Sequence, residues 1–183
     1  MSSTASVGGD ERLRLFLALR VPDDVLDEIE RWQRERLGSV RVVPREHLHV
    51  TLAFLGHRPA GELEPIVGAL RAAAAGAGEI RLTPVRYRET RSVGMLVLAD
   101  DGARAARLAG NVQERLEQLG VYHRERRDWL PHLTVARWRD RPRLRLDPPP
   151  VRTFVPSDAA AYLSRLHPGG ARYEVLESVA LGG

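Results

Sequence analysis

The sequence predicts an α+β fold: a pseudo-symmetric, two-lobed chain with two mainly antiparallel sheets lining a central cleft and helices on the outside. Three observations predict it. Short runs of alternating or continuous apolar residues read as strands. Between them lie three longer runs with apolar residues at helical spacing. The order strand, helix, strand then occurs twice, over 12–20, 23–37 and 47–55 and again over 94–99, 102–119 and 132–138. Leu15 and His49 are 34 positions apart, and Leu96 and His132 are 36 apart. Repetition on this scale places two like halves face to face.

Residues 1–10 are rich in Ser and Gly and read as a flexible tail, leaving 11–183 as a single two-lobed domain. Residues 12–20 (RLRLFLALR) alternate and then turn apolar, as a strand does. Pro22, Asp23 and Asp24 open a helix, Val25, Leu26, Ile29 and Trp32 give its apolar stripe, and Gly38 supplies a stop. Residues 40–43 form a short strand that Pro44 breaks. A strand over 47–55 follows, with Gly56 as its expected end. Leu63, Ile66, Val67 and Leu70 mark a second helix, and 80–87 and 94–99 two strands around a polar turn. The third helix, 102–119, is expected to bury Leu108, Val112, Leu116 and Leu119, with Gly120 as its stop. A charged loop (122–129) leads to the strand 132–138. An Arg/Pro-rich linker (139–150) then leads to closing strands at 154–163 and 172–179, joined by a turn at Pro168-Gly169-Gly170.

The chemistry concentrates in His49-Val50-Thr51-Leu52-Ala53 and His132-Leu133-Thr134-Val135-Ala136. Strand alternation puts His, Thr and Ala on one face and the larger apolar side chains in the core, so alanine is expected to leave space beside the imidazole and hydroxyl. Six histidines and six threonines in 183 residues predict only about 0.2 chance His-x-Thr matches. Two histidines facing one cleft can move protons without a metal. A neutral ring takes a proton from a nucleophile, and a protonated one gives a proton to the leaving oxygen. The threonine hydroxyls suit the non-bridging oxygens of a phosphodiester, and Arg137, three positions past Thr134, can add charge to the same phosphate.

Other chemistries find less support. His47 and His49 could pair on a metal from one strand face, but a catalytic zinc takes three protein ligands and no third has suitable spacing. His57, His123 and His167 fall in expected loops or turns. Glycine spacing fits no phosphate loop, and the chain has neither a nucleophile elbow nor any cysteine, so disulfides and thiolate metal sites are excluded. No run reaches the length of a membrane span, and no signal pattern opens the chain. The net charge is +4 and all 28 basic residues are arginine. Biased composition explains most of that, though forked guanidinium donors suit phosphate. Arginines at 124–127 and 139–145, interleaved with Tyr122, Trp129 and Trp138, could flank an RNA groove or form a solvated face.

HVTLAFLG at 49–56 and PHLTVAR at 131–137 resemble the two signature motifs of the two-histidine (2H) phosphoesterases, more closely the RNA 2',3'-cyclic phosphodiesterase branch long called 2'-5' RNA ligase. RLFLAL at 14–19 with Val21-Pro22, Val43-Pro44 and YLSRLHPGGARYEVL at 162–176 extend the likeness over nearly the whole chain. The resemblance implies a two-lobed fold and hydrolysis of a terminal 2',3'-cyclic phosphate on RNA to a 2'-phosphate, without metal, ATP or another cofactor. It also implies 2'-5' RNA ligase activity in reverse. His49 matches the proton donor to the leaving 3'-oxygen and His132 the base that activates water. Thr51, Thr134 and Arg137 match the phosphate-binding residues. The expected partner is RNA with a 2',3'-cyclic phosphate end, tRNA fragments included. The chain is expected to be cytoplasmic and monomeric, with no membrane and no obligate protein partner. A cyclic phosphate on a small nucleotide or ADP-ribose is the alternative substrate, and an RNA-end binding module without turnover the alternative class. The strand at 94–99 departs from relatives, with Gly94 and Val97 where an arginine and an aromatic residue often stand.

Overall fold

The structure, a computed structural model, describes residues 11–182, so the tail expected at 1–10 lies outside the described residues. In chain order the strands and α-helices are β1 (Arg12–Arg20), α1 (Asp23–Arg36), β2 (Arg41–Val42), β3 (His49–Pro59), α2 (Leu63–Ala74), β4 (Leu82–Glu89), β5 (Val93–Asp100), α3 (Arg104–Gln118), β6 (His132–Arg137), β7 (Ala159–His167) and β8 (Gly170–Val179). They build two four-stranded sheets of order β3-β1-β7-β8 and β2-β6-β5-β4, with every pairing antiparallel. The expected repeat is present: β1 and β3 pair in one sheet as β5 and β6 pair in the other.

One core joins both lobes, packing Leu17, Leu19 and Leu52 with Ile29, Ile66, Leu70, Leu96, Leu116 and Leu133. Burying side chains of this size contributes about 1.5–3 kcal/mol each. Helix α1 begins after an extended Pro22, with Asp23 and Asp24 in its first turn and Arg34 and Arg36 in its last, as the helix dipole favours. Its Trp32 packs on Tyr87 of β4 at 5.8 Å, so this helix, which follows a strand of the first sheet, covers the second. Helix α3 does the converse: it follows β5 and lies against β3 and α2. Asp100 receives the Ala105 and Ala106 N–H groups at 3.0 and 2.8 Å, which otherwise lack partners in the first turn of α3.

Several expectations are corrected. Gly56 does not end the motif strand: its φ of 67° absorbs a bulge at Leu55, and β3 continues to Pro59. The strand begins at His49, because a 3-10 turn over Arg45–His47 takes His47 out of the ladder. Leu119 caps α3 and is exposed; of the four expected residues Leu108, Val112 and Leu116 lie on the buried face. Residues 154–158 stay outside β7 apart from one bridge between Phe154 and Leu82.

Glycine at 94 is a packing requirement. A Cβ there would lie 2.7 Å from the Tyr87 Oη and 2.8 Å from the Trp138 ring. Gly94→Ala is expected to lower stability by about 1–3 kcal/mol, the usual cost of overpacking. Urea unfolding reads this directly, and an unchanged midpoint contradicts the packing account.

Candidate active site

The two motif strands carry the same burial sequence. From His49 and from His132 it runs half-buried, buried, half-buried, buried, buried, exposed. The first and third positions are the histidine and threonine of each motif. The sixth is Phe54 in one strand and Arg137 in the other. Alternation alone predicts that Ala53 and Ala136 share the face of the histidines, and they do not. A bulge directly after each threonine, at Leu52 and at Val135, turns both alanines into the core.

β3 and β6 lie against each other, and the charge on His132 acts on His49. The Trp129 indole N–H donates to the Thr51 carbonyl at 3.0 Å, tying the loop before the second motif to the first motif strand. The structure therefore brings the two His-x-Thr segments onto neighbouring strands, with His49, Thr51, His132 and Thr134 at the matching half-buried positions.

His49 sits among aromatic rings. Its centroid is 4.8 Å from Phe16, 5.9 Å from Tyr162 and 5.7 Å from Tyr173, which meets it edge-on. Phe16 and Tyr162 stack on each other, and with Ala18 and Ala160 they form a small apolar cluster separate from the main core. Burial here pushes the His49 imidazole down to about 4. Positive charge from His47, His132 and Arg137 adds to this, against a hydrogen bond from the ring to the His47 backbone that favours the charged form. The ring is therefore neutral at neutral pH. Its Nε2 is 3.1 Å from the Thr51 Oγ1.

His132 is likewise held by the backbone two residues before it. Its Nδ1–H donates to the Leu130 carbonyl at 2.7 Å, which fixes that tautomer in the neutral ring and leaves Nε2 with a lone pair. A ring so held can accept a proton at Nε2. Thr134 occupies the place in β6 that Thr51 has in β3, opposite Met95 as Thr51 is opposite Ala18.

Arg137 is exposed and, among the described residues, has no carboxylate at ion-pair distance, so a surface salt bridge does not account for it. Its positive charge reaches both His47 and His49. Sequence reasoning missed its neighbour Arg41, which pairs with it in register and extends towards the β7–β8 turn at Gly170. It also missed the rings around His49. Residues 14–19 did hold a signal, since the register that sets Ala18 opposite Thr51 puts Phe16 near the motif face.

His47 does not share a strand face with His49. Its ring meets Tyr173 in a tilted contact at 4.2 Å, and burial lowers its pKa. Among the described residues no group of three or more His, Asp or Glu side chains is placed to hold a metal ion. His57, His123 and His167 are exposed, although His57 lies within β3 and His167 is the last residue of β7, neither in a loop. Among the described residues no helix is long and apolar enough to cross a membrane.

The model of a family described as the 2'-5' RNA ligase superfamily matches residues 21–167. An RNA 2',3'-cyclic phosphodiesterase of Archaeoglobus fulgidus is 31% identical over 141 residues, covering 68% of this chain and 72% of that protein. One of Methanocaldococcus jannaschii is 23% identical over 134 residues, covering 68% and 71%. Among solved structures, TT0787 of Thermus thermophilus superposes with a TM-score of 0.79 at 28% identity over 93% of this chain and 99% of that one. E. coli LigT complexed with 3'-AMP superposes at 0.81 and 22% identity, over 94% of this chain and 100% of that one, a likeness of fold.

Proposed function

We propose, from the premise that the chain belongs to the 2'-5' RNA ligase superfamily and to its RNA 2',3'-cyclic phosphodiesterase branch, that it hydrolyses a 2',3'-cyclic phosphate at an RNA end to a 2'-phosphate. The observation that carries the reading is the pair of matching His-x-Thr strand segments, with the same burial order, set against each other.

The step needs two proton movements. His132, its Nδ1 bound to the Leu130 carbonyl, takes a proton at Nε2 from the attacking water. The water oxygen bonds to phosphorus as the bond from phosphorus to the 3'-oxygen breaks. His49 gives its proton to that oxygen, leaving a 3'-hydroxyl and a 2'-monophosphate. The Thr51 and Thr134 hydroxyls donate to the non-bridging oxygens, and Arg137 adds charge as the phosphorane forms. His49 must be protonated to act so, and the negative charge of a bound phosphate opposes the burial that otherwise favours the neutral ring. A 5'-hydroxyl in place of water would join two RNA ends through a 2'-5' linkage.

Arg137→Gln is expected to raise KM about tenfold, the equivalent of about 1.4 kcal/mol, with a smaller effect on kcat. Steady-state kinetics on a cyclic-phosphate oligonucleotide checks it, and an unchanged KM would remove Arg137 from the phosphate site. The substrate itself is tested by comparing kcat/KM for that oligonucleotide, a nucleoside 2',3'-cyclic phosphate and an ADP-ribose cyclic phosphate. The RNA end is expected to be preferred. Preference for either small molecule moves the assignment to that substrate, and no turnover of any of them leaves a binding module.

A further inference from the structure

Both motif strands carry the same interruption, and a buried glutamine meets each one. In β3 the ladder with β1 skips Leu52, so that Ala18 faces Thr51 and Leu17 faces Ala53. In β6 the ladder with β5 skips Val135, so that Met95 faces Thr134 and Gly94 faces Ala136. A bulged residue loses its regular ladder partners, and a buried carbonyl must find a donor elsewhere. The Leu52 carbonyl receives the side-chain amide of Gln113 at 2.9 Å. The Val135 carbonyl receives that of Gln33 at 2.9 Å, together with the Val43 N–H at 2.9 Å. The Gln33 amide also donates to the Val43 carbonyl at 3.0 Å, locking β6 to the end of β2.

The two glutamines correspond. Gln33 lies towards the end of α1 and Gln113 towards the end of α3, and their exposures are 3% and 6%. Each also serves the other half of the chain. Helix α1 lies between β1 and β3 in sequence, yet Gln33 holds β6. Helix α3 lies between β5 and β6, yet Gln113 holds β3. Burying an uncharged amide is unfavourable unless it is hydrogen-bonded, and here the bonds fall on the residue that follows each motif threonine.

We propose that Gln33 and Gln113 are a matched pair of positioning residues, each setting the bulge that aims the histidine and threonine of the opposite half into the cleft. The inference rests on the reading that these motifs carry the chemistry. The bulge makes Leu52 and Ala53 buried in succession while His49 and Thr51 stay on the cleft face, and Val135 and Ala136 do the same for β6. Without its amide donor the Leu52 carbonyl can regain a ladder partner only if the strand closes up, and the Val135 carbonyl is left with the Val43 N–H alone. A one-residue slip moves side chains to the opposite face. A methionine of similar length fills the volume of glutamine but cannot donate.

The test uses Gln113→Met and Gln33→Met with three readouts: imidazole NMR of both histidines, kinetics on a 2',3'-cyclic phosphate oligonucleotide, and urea unfolding. Gln113→Met is expected to move the His49 resonances and leave those of His132 in place, and Gln33→Met to do the reverse. Each is expected to lower kcat about tenfold or more with KM little changed, because misplacing a reacting group by about 1 Å is costly. If a methionine variant does not fold, the alanine variant, which admits water to the freed carbonyl, is read in the same way. A fall in stability with kcat and both histidine spectra unchanged overturns the proposal. So does displacement of both histidines by each variant, which indicates general loosening. If the wild type turns over no cyclic phosphate, the functional reading fails, and the NMR comparison still decides whether each glutamine positions the opposite motif.

Discussion

His49→Ala and His132→Ala are each expected to lower hydrolysis of a 2',3'-cyclic phosphate about a thousandfold or more, while leaving the protein folded. General acid and general base catalysis each contribute about 10²–10⁴. With acid and base acting in one displacement, removing either exposes most of the loss, and the double variant should be little worse than the slower single one. Both rings sit on the cleft side of their strands and outside the main core, so truncation leaves that core intact. Binding of a nucleoside 2'-monophosphate should survive in both variants. A residual rate within tenfold of wild type for either would remove that histidine from the chemistry.

The second large effect is on pH. An imidazole in an unfolded chain titrates near 6.5, and His49 in the folded protein titrates near 4. Between these values the unfolded chain holds the extra proton, so His49 makes the fold less stable as pH falls through that window. The contribution is fully present above about 6.5, and about 3 kcal/mol is lost by about pH 4. His49→Gln should flatten this part of the profile. The check is the difference between wild type and variant in urea midpoint at neutral pH and near pH 4.5, which cancels carboxylate titrations common to both. Identical slopes would contradict the buried, neutral ring. NMR of the His49 ring supplies the functional half: its pKa should rise by a unit or more when a nucleoside 2'-monophosphate binds. Without such a rise the ring could not be the proton donor.

Much of this was legible from local patterns. Alternation in 12–20, acidic residues after Pro22 and the apolar stripe of 25–32 depend on near neighbours, and β1 and α1 lie where they predict. The twofold His-x-Thr pattern was legible because catalysis from two sides repeats residue types at like places in a duplicated unit. What alternation missed were departures from regular pairing. The bulges at Leu52 and Val135 overturn the simple period of two, so Ala53 and Ala136 lie in the core and not beside the imidazoles. Gly56 resembles a terminator, yet its positive φ carries the strand onward. Tertiary partners were equally hidden. Nothing near Gln113 in sequence points to the Leu52 carbonyl 61 residues away, and nothing near His49 points to Tyr173. The strand at 94–99 is the most instructive departure. Gly94 is small because Tyr87 and Trp138 close over it, a packing reason invisible without the fold.

The most direct test of the central claim is to follow an oligoribonucleotide with a 2',3'-cyclic phosphate end by ³¹P NMR, in ¹⁸O-labelled water, with EDTA present and no ATP. The two-histidine account predicts conversion to a 2'-monophosphate carrying one solvent oxygen. A 3'-monophosphate, or turnover that appears only when a divalent cation is restored, would contradict it.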